Sequence, residues 1–356
     1  ALLIGLLLQG SISLVHGQCD GQCVPIAQCN DYEISVIDVR FGTNDDFEGE
    51  CDHYLEVCCG GNPGGNPGGN PGGNPGAFGD CGRRNPDGVG FRVVGTANNE
   101  AQFGEFPWMA AIMKVEDVLG EDKHEYVCGG SLIGPKVVLT AAHCVADRAL
   151  DRLVVRVGEW DTMTTNEVRP FQEQRVNRFI SHPNFNKQFL FNDVALLILE
   201  DSFLPDDNVQ LACLPQQDTV FDNARECFTS GWGKANFTSQ SYQAILKKAE
   251  LPMVPSAQCQ TALRGTRLSA KFRLHDSFVC AGGQHGIDAC TGDGGSPLVC
   301  STPDQPDKYF QTGIVAWGIG CGQEGIPGVY VKVSQYTNWI NQQMTEIDNA
   351  DFGLDG

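Results

Sequence analysis

The chain is short of basic charge. Of its 356 residues, 24 are Lys or Arg against 44 Asp or Glu, which leaves a formal net charge of −20. A surface so acidic argues against nucleic acid or an anionic membrane as the partner. A membrane span is also lacking: the apolar run at residues 1–15 is too short to cross a bilayer well, and no later stretch could serve. Cys-x-x-Cys pairs are missing, so the sixteen cysteines do not read as metal clusters. An even number at this density reads instead as the disulfides of a secreted protein. Helical periodicity is scarce, with only residues 336–343 reading as helix. Short apolar runs at 108–115, 129–133, 137–140, 153–157 and 194–199 alternate with Gly- and Asp-rich turns. Such a pattern implies an all-β barrel or sandwich.

The apolar start has no initiating Met and no basic flank, and Val15, His16 and Gly17 suit a signal-peptidase site. Residues 1–17 therefore read as a signal peptide truncated at its start, with secretion into the extracellular fluid as the consequence. Residues 18–59 hold six cysteines, and about 40 residues cannot bury enough apolar surface to fold without cross-links. Six cysteines allow fifteen pairings. Four Gly-Gly-Asn-Pro repeats follow within a linker at 60–80. Proline removes donors and glycine widens conformational freedom, so this stretch reads as a coil spanning roughly 20–25 Å. A short segment at 81–92, a large domain at 93–345 and an acidic tail at 346–356 complete the division.

Three motifs carry chemistry. Thr140-Ala141-Ala142-His143-Cys144 sets an imidazole beside a cysteine. In Asn192-Asp193-Val194-Ala195-Leu196-Leu197 a carboxylate precedes an apolar run. Residues 288–300 read Asp-Ala-Cys-Thr-Gly-Asp-Gly-Gly-Ser-Pro-Leu-Val-Cys. Together these resemble the trypsin-like serine proteases, whose nucleophile lies in Gly-Asp-Ser-Gly-Gly-Pro. The resemblance implies a chymotrypsin-like fold of two packed six-stranded barrels, with His143 as general base and Asp193 orienting it. Gly292, Asp293, Gly295 and Pro297 complete the loop's frame, but Gly294 stands where the nucleophilic Ser belongs. A hydrogen cannot attack a carbonyl. Ser296 lies two positions on, in place of a loop Gly, and is expected to miss His143. Loss of the nucleophile from a triad costs on the order of 10⁶ in kcat, so the domain reads as a pseudoprotease rather than an active protease.

The same resemblance pairs Cys128 with Cys144, Cys227 with Cys300, Cys259 with Cys280, and Cys290 with Cys321. It also links Cys81 to Cys213, a bond that would hold an N-terminal fragment after cleavage. Phe91-Arg92-Val93-Val94-Gly95 looks like an activation site, where cutting after Arg92 frees an amino group to pair with Asp293. Thr96 stands where a second Gly is common. Arg40 and Arg84 are competing sites for a trypsin-like activator. Asp288, Trp317, Gly318 and Gly328 outline a pocket for a basic side chain, either still binding or merely inherited. Glu159, Asp161, the Thr164 carbonyl and Glu167 resemble a calcium loop, the alternative being an acidic surface loop without metal. Asn236 begins an N-glycosylation sequon.

Cys23-Val24-Pro25-Ile26-Ala27-Gln28-Cys29, the later Cys51 and the adjacent Cys58 and Cys59 resemble a clip domain of arthropod proteases. That likeness implies Cys19–Cys58, Cys23–Cys51 and Cys29–Cys59. A clip domain before an inactive protease domain resembles the serine protease homologues of arthropod haemolymph. Within that group, Gly294 and the Arg-Asn-Pro-Asp-Gly-Val-Gly-Phe-Arg segment at 84–92 resemble the inactive prophenoloxidase-activating factors. The resemblance implies a cofactor in melanisation: cleaved by an upstream clip protease, able to self-associate, and partnered with prophenoloxidase. An adhesive or microbe-recognition protein would carry the same sequence features.

Overall fold

The computed structural model describes residues 22–25, 56–59, 78–90, 99–118, 120–164, 167–222, 224, 226–234, 241–285, 293–320 and 322–351. The chain divides into two units. In the first, β1 (Gln22–Pro25) pairs antiparallel with β2 (Glu56–Cys59), setting Cys23 opposite Cys58.

In the second unit, six strands close into a barrel. They are β3 (Met109–Val118), β4 (Glu121–Gly134), β5 (Val137–Thr140), β6 (Leu153–Val157), β7 (Gln172–Ser181) and β8 (Ala195–Leu199), in the order β3-β4-β5-β8-β7-β6. Val-Val-Leu-Thr in β5 and Ala-Leu-Leu-Ile-Leu in β8 are buried at every position, as continuous apolar runs in strands covered on both faces should be. By contrast, β7 is polar and buries only Val176. The five apolar runs noted in the sequence all fall in these strands, although β4 begins well before residue 129.

Seven strands make the second sheet: β9 (Cys227–Gly231), β10 (Lys247–Glu250), β11 (Met253–Val254), β12 (Phe278–Ala281), β13 (Pro297–Thr302), β14 (Gln305–Trp317) and β15 (Gly328–Lys332). The order is β10-β9-β13-β14-β15-β12-β11, antiparallel throughout. The chymotrypsin-like class stands, but this half is a curled half-barrel rather than a closed six-stranded barrel. Its edges, β10 and β11, are consecutive in the chain, separated by Leu251 and Pro252. Pro252 has no N–H to continue a ladder, so the strand breaks there and the chain passes to the opposite edge.

Two helices follow the same logic of one buried stripe. The helix α1 (Ser256–Arg264) buries Cys259 and Leu263 one turn apart and is tied to β12 by the Cys259–Cys280 disulfide. Being nine residues long and mostly polar, it has too few apolar positions to show in the sequence. The C-terminal helix α2 (Thr337–Asp351) runs past residue 343 into the stretch expected as a tail. Ile340 and Ile347, two turns apart, are both buried and extend its packed face.

The two sheets share one core. Trp108, Leu132, Leu139 and Leu196 of the barrel form a single cluster with Trp232, Val299, Ile314 and Val331 of the second sheet. Full burial of each such Leu stabilises the fold by roughly 1.5–3 kcal/mol. Across the seam, the Ser131 hydroxyl donates to Gln311 Oε1 at 2.5 Å. This seam positions the site.

The segment expected at 81–92 is clamped to the domain through its described part. Cys81 and Cys213 form a disulfide. Glu105, fully buried, accepts from Arg84 Nε at 3.1 Å, from Lys248 Nζ at 2.7 and 2.9 Å, and from the Gln102 backbone N–H at 2.7 Å. The Arg84 guanidinium lies 3.8 Å from the Phe228 ring centroid. With 12% of its side chain exposed, Arg84 cannot enter a protease pocket without first leaving this site. The physical reason is desolvation: extracting Arg84 would strand part of a buried carboxylate's pairing. Among the three cleavage candidates, Arg84 is the one that lies within the described residues, and there it is held by Glu105.

Candidate functional site

His143 sits in a single 3-10 turn, Ala142–Cys144, directly after β5. The Cys128–Cys144 disulfide fixes that turn to β4. Asp193 reaches it from just before β8 and grips it twice. Its Oδ1 accepts the His143 backbone N–H at 2.8 Å, and its Oδ2 lies 2.6 Å from His143 Nδ1. The Asp193 side chain is fully buried, whereas the imidazole is 28% exposed. A carboxylate on Nδ1 sets the tautomer with the proton on Nδ1, which leaves Nε2 as the acceptor facing the cleft.

Beneath this pair lies a support that the sequence did not single out. Tyr336 Oη donates to Asn192 Oδ1 at 2.8 Å, and Asn192 has φ +56°. Its Nδ2 donates to the Asn184 carbonyl at 2.9 Å. The turn that presents Asp193 is thus held from both sides. Burial first, then the nearby Asp193 charge, push the Tyr336 phenol upward, so it stays a donor. Asn before Asp was the available signal, since Asn tolerates a left-handed backbone.

Opposite His143, the loop at 293–297 is pinned by its backbone. Gly129 N–H donates to the Gly294 carbonyl, Gly295 N–H to the Val315 carbonyl, and Ser296 N–H to the Asp293 carbonyl, each at 2.9 Å. Gly295 has φ +81°, and a Cβ there would meet Thr140 Oγ1 at 2.3 Å and the Gly129 carbonyl at 2.4 Å. A Cβ at Gly294 would point at the imidazole, 2.9 Å from His143 Nε2 and 3.4 Å from Cε1. Position 294 is therefore the one that faces the base, and it carries no side chain. Ser296 Oγ is fully buried against Gly129 and Gly231, and it makes no hydrogen bond to His143. The Gly233 N–H donates to Asp293 Oδ1 at 2.8 Å.

Trp317 closes β14 with Gly318 directly after it, and Gly328 opens the neighbouring β15, so the structure brings these wall residues together. Trp317 stands edge-on to Phe272 at 6.1 Å and to Phe278 at 5.9 Å. Asp288, which the resemblance puts at the pocket floor, lies outside the described residues. So do Arg40, Arg92, Asn236, the Cys290–Cys321 link and the clip-domain pairings. The Cys227–Cys300 disulfide joins β9 to β13.

The acidic loop is partly assembled. Glu167 Oε1 accepts the Trp160 and Asp161 backbone N–H groups, both at 2.9 Å. Its Oε2 is buried without a hydrogen-bond partner among the described residues. Burial, with Glu159 alongside, pushes the Glu167 carboxyl up to about 8 against the pull of those two N–H groups. Asp161 is occupied locally, accepting from Met163 N–H at 3.0 Å and Thr164 Oγ1 at 3.2 Å. A second feature escaped the sequence: Arg156 bridges Glu159 at 2.8 Å and Glu173 at 2.9 Å. Arg156 lies in β6 three residues before Glu159, a spacing that in a strand gave no sign of the pair.

The trypsin family profile matches residues 96–340, and that of the serine protease clip domain PPAF-2 matches residues 13–60. Phenoloxidase-activating factor 2 of Galleria mellonella is 51% identical over 270 residues, covering 74% of this chain and 88% of that protein. Inactive CLIP domain-containing serine protease A8 of Anopheles gambiae is 38% identical over 315 residues, covering 88% and 84%. A further relative, A28 of Anopheles gambiae and likewise called inactive, is 36% identical over 326 residues, covering 87% and 82%. With both modules matched and the base and its carboxylate in contact, the chain belongs to the trypsin family as a clip-domain serine protease homologue.

Proposed function

We propose that this chain is a secreted, non-catalytic cofactor of prophenoloxidase activation, acting after an upstream clip protease has cut it. One observation carries the reading: the residue facing His143 Nε2 is Gly294, so the base has no hydroxyl to deprotonate. Ser296 offers no substitute, being buried and unbonded to the imidazole. A fold without its nucleophile acts by binding. The likeness to a protein named for phenoloxidase activation supports the partner, and the likeness to proteins called inactive supports the absence of catalysis. Disulfides suit an extracellular setting such as haemolymph. Among the described residues, no helix is long and apolar enough to cross a membrane. Cleavage at Arg92 leaves the preceding segment attached through Cys81–Cys213 and the Glu105 clamp.

Calcium belongs to the same reading. Glu167 Oε2 is buried without a partner among the described residues and lies beside Glu159, which Arg156 already pairs, so a cation here would complete the loop at Glu167. Glu159, Asp161, the Thr164 carbonyl and Glu167 would hold it, and its charge would tie the loop together.

The test combines the purified chain, an upstream clip protease and prophenoloxidase, with controls omitting each. Phenoloxidase activity and hydrolysis of an Arg-amide substrate are followed together. Phenoloxidase activity that requires this chain, with no hydrolysis due to it, is the expected result. Hydrolysis by the pure chain overturns the non-catalytic reading, and failure to stimulate overturns the cofactor reading.

A further inference from the structure

Against the acidity of the whole chain, residues 251–275 contain Arg264, Arg267, Lys271 and Arg273 and no Asp or Glu. This stretch comprises β11, α1 and the turns that follow it. It is a rigid platform. The Cys259–Cys280 disulfide anchors α1, and Leu268, Phe272 and Leu274 pack inward around Leu263 and Phe278. Successive turns are closed by Gly265 N–H to the Ala262 carbonyl, Ser269 N–H to the Thr266 carbonyl and Phe272 N–H to the Ser269 carbonyl, each at 3.1 Å. Arg264 Nε donates to the Phe272 carbonyl at 2.8 Å, and Leu274 N–H donates to Gln260 Oε1 at 3.1 Å.

With the apolar residues turned inward, Arg267, Lys271 and Arg273 are left exposed. None of the three forms an ion pair among the described residues. Other exposed bases sit among acids: Lys123 lies between Asp122 and Glu125, and Arg175 and Arg178 follow Glu173. At physiological salt the Debye length is about 8 Å, so distant acids are screened at this loop, and the acids next to it in sequence, Glu250 and Asp276, stand only at the two ends of the stretch. An arginine fork matches a carboxylate bidentately, which gives register as well as attraction.

We propose that the 264–273 loop is the docking face for an acidic polypeptide surface, and that prophenoloxidase presents that surface; the assignment of the partner rests on the cofactor reading above. A compact protein face needs to match the loop only locally. An extended polyanion would run on over the acidic remainder of the molecule and be repelled, and three exposed cations separated by Leu268, Ser269 and Ala270 fall short of the dense basic runs such chains require.

The experiment uses the full chain, cleaved by the upstream clip protease, with prophenoloxidase as the probe. The variant R267S/K271S/R273S is compared with wild type and with K123S/R175S/R178S, which removes the same charge elsewhere. Binding is measured across a salt series alongside phenoloxidase activity, and thermal unfolding checks that each variant is folded. We expect the loop variant to bind at least about tenfold more weakly, to show a flatter salt dependence and to lose stimulation. The control should stay within about twofold of wild type. If the loop variant stimulates and binds like wild type, the docking face is wrong while the cofactor reading stands. If wild type itself does not stimulate or bind, the cofactor reading fails and the partner assignment falls with it.

Discussion

The two sides of the cleft differ in what their residues do besides chemistry. On the barrel side, Asp193 is buried and satisfies a backbone N–H as well as the imidazole, and Tyr336 and Asn192 brace its turn. On the sheet side, Gly295 fits a space that no Cβ can enter, and the Gly294 carbonyl ties the loop to β4. A side chain at 294 has no such second duty. It points into the open cleft toward a part-exposed ring, so its absence leaves every other contact intact. The lesson is that position 294, unlike its neighbours in the loop, carries no structural duty, so glycine there leaves the surrounding architecture standing.

The sharpest way to break this contrast is to restore the nucleophile. Gly294→Ser with Ser296→Gly rebuilds the family loop, and after activation cleavage it should raise Arg-amide hydrolysis at least about 100-fold over wild type, a part of the roughly 10⁶ that such a nucleophile supplies. No gain would show that the cleft is unfit for catalysis beyond its missing serine. Next in size, Gly295→Ala should destabilise the fold by about 3 kcal/mol, read from denaturant unfolding, since its Cβ meets Thr140 and Gly129 at a positive φ.

The acidic loop gives a pH test. Glu167 is raised in the folded state from its ordinary 4.5 to about 8, so between these values the folded protein binds more protons than the unfolded chain. In metal-free buffer, stability from this group is present below about pH 4.5 and is lost as pH rises through about 8. Thermal unfolding with chelator at pH 5.5 and 8 should show that fall. Glu167→Gln should flatten it, and calcium should reverse it at pH 8 for wild type alone. An unchanged profile would remove the buried-carboxylate account.

The smallest effect is expected at Gly294→Ala. Its Cβ asks only that a part-exposed imidazole retreat by a few tenths of an ångström, so the cost should stay below about 1 kcal/mol. A loss as large as that for Gly295→Ala would erase the distinction between the neighbouring glycines.

Much of the fold was legible because apolar runs in β5 and β8 leave a local trace, and the His143 and Asp193 motifs are contiguous. What was not legible depends on segments meeting. The nine-residue α1 has two buried positions, too few for a periodic signal, and α2 runs on to Asp351 because Ile347 finds a packed surface. The dibasic pair at 83–84 looks exposed in sequence, whereas in the fold Arg84 lies between Glu105 and the Phe228 ring. Among the calcium-loop residues, spacing gave no sign that Arg156 would occupy Glu159.

By itself the sequence determined that position 294 has no nucleophile, because side-chain identity is covalent and no folding restores a missing oxygen. It also supplied the cysteines, the acidic balance and the order of the two modules. Only the tertiary structure decided that Gly294 faces Nε2, that Asp193 reaches a histidine 50 residues away in sequence, and that the bases at 267, 271 and 273 stand outward while their apolar neighbours turn in. Those are matters of distance and burial, set when remote strands close around a shared core.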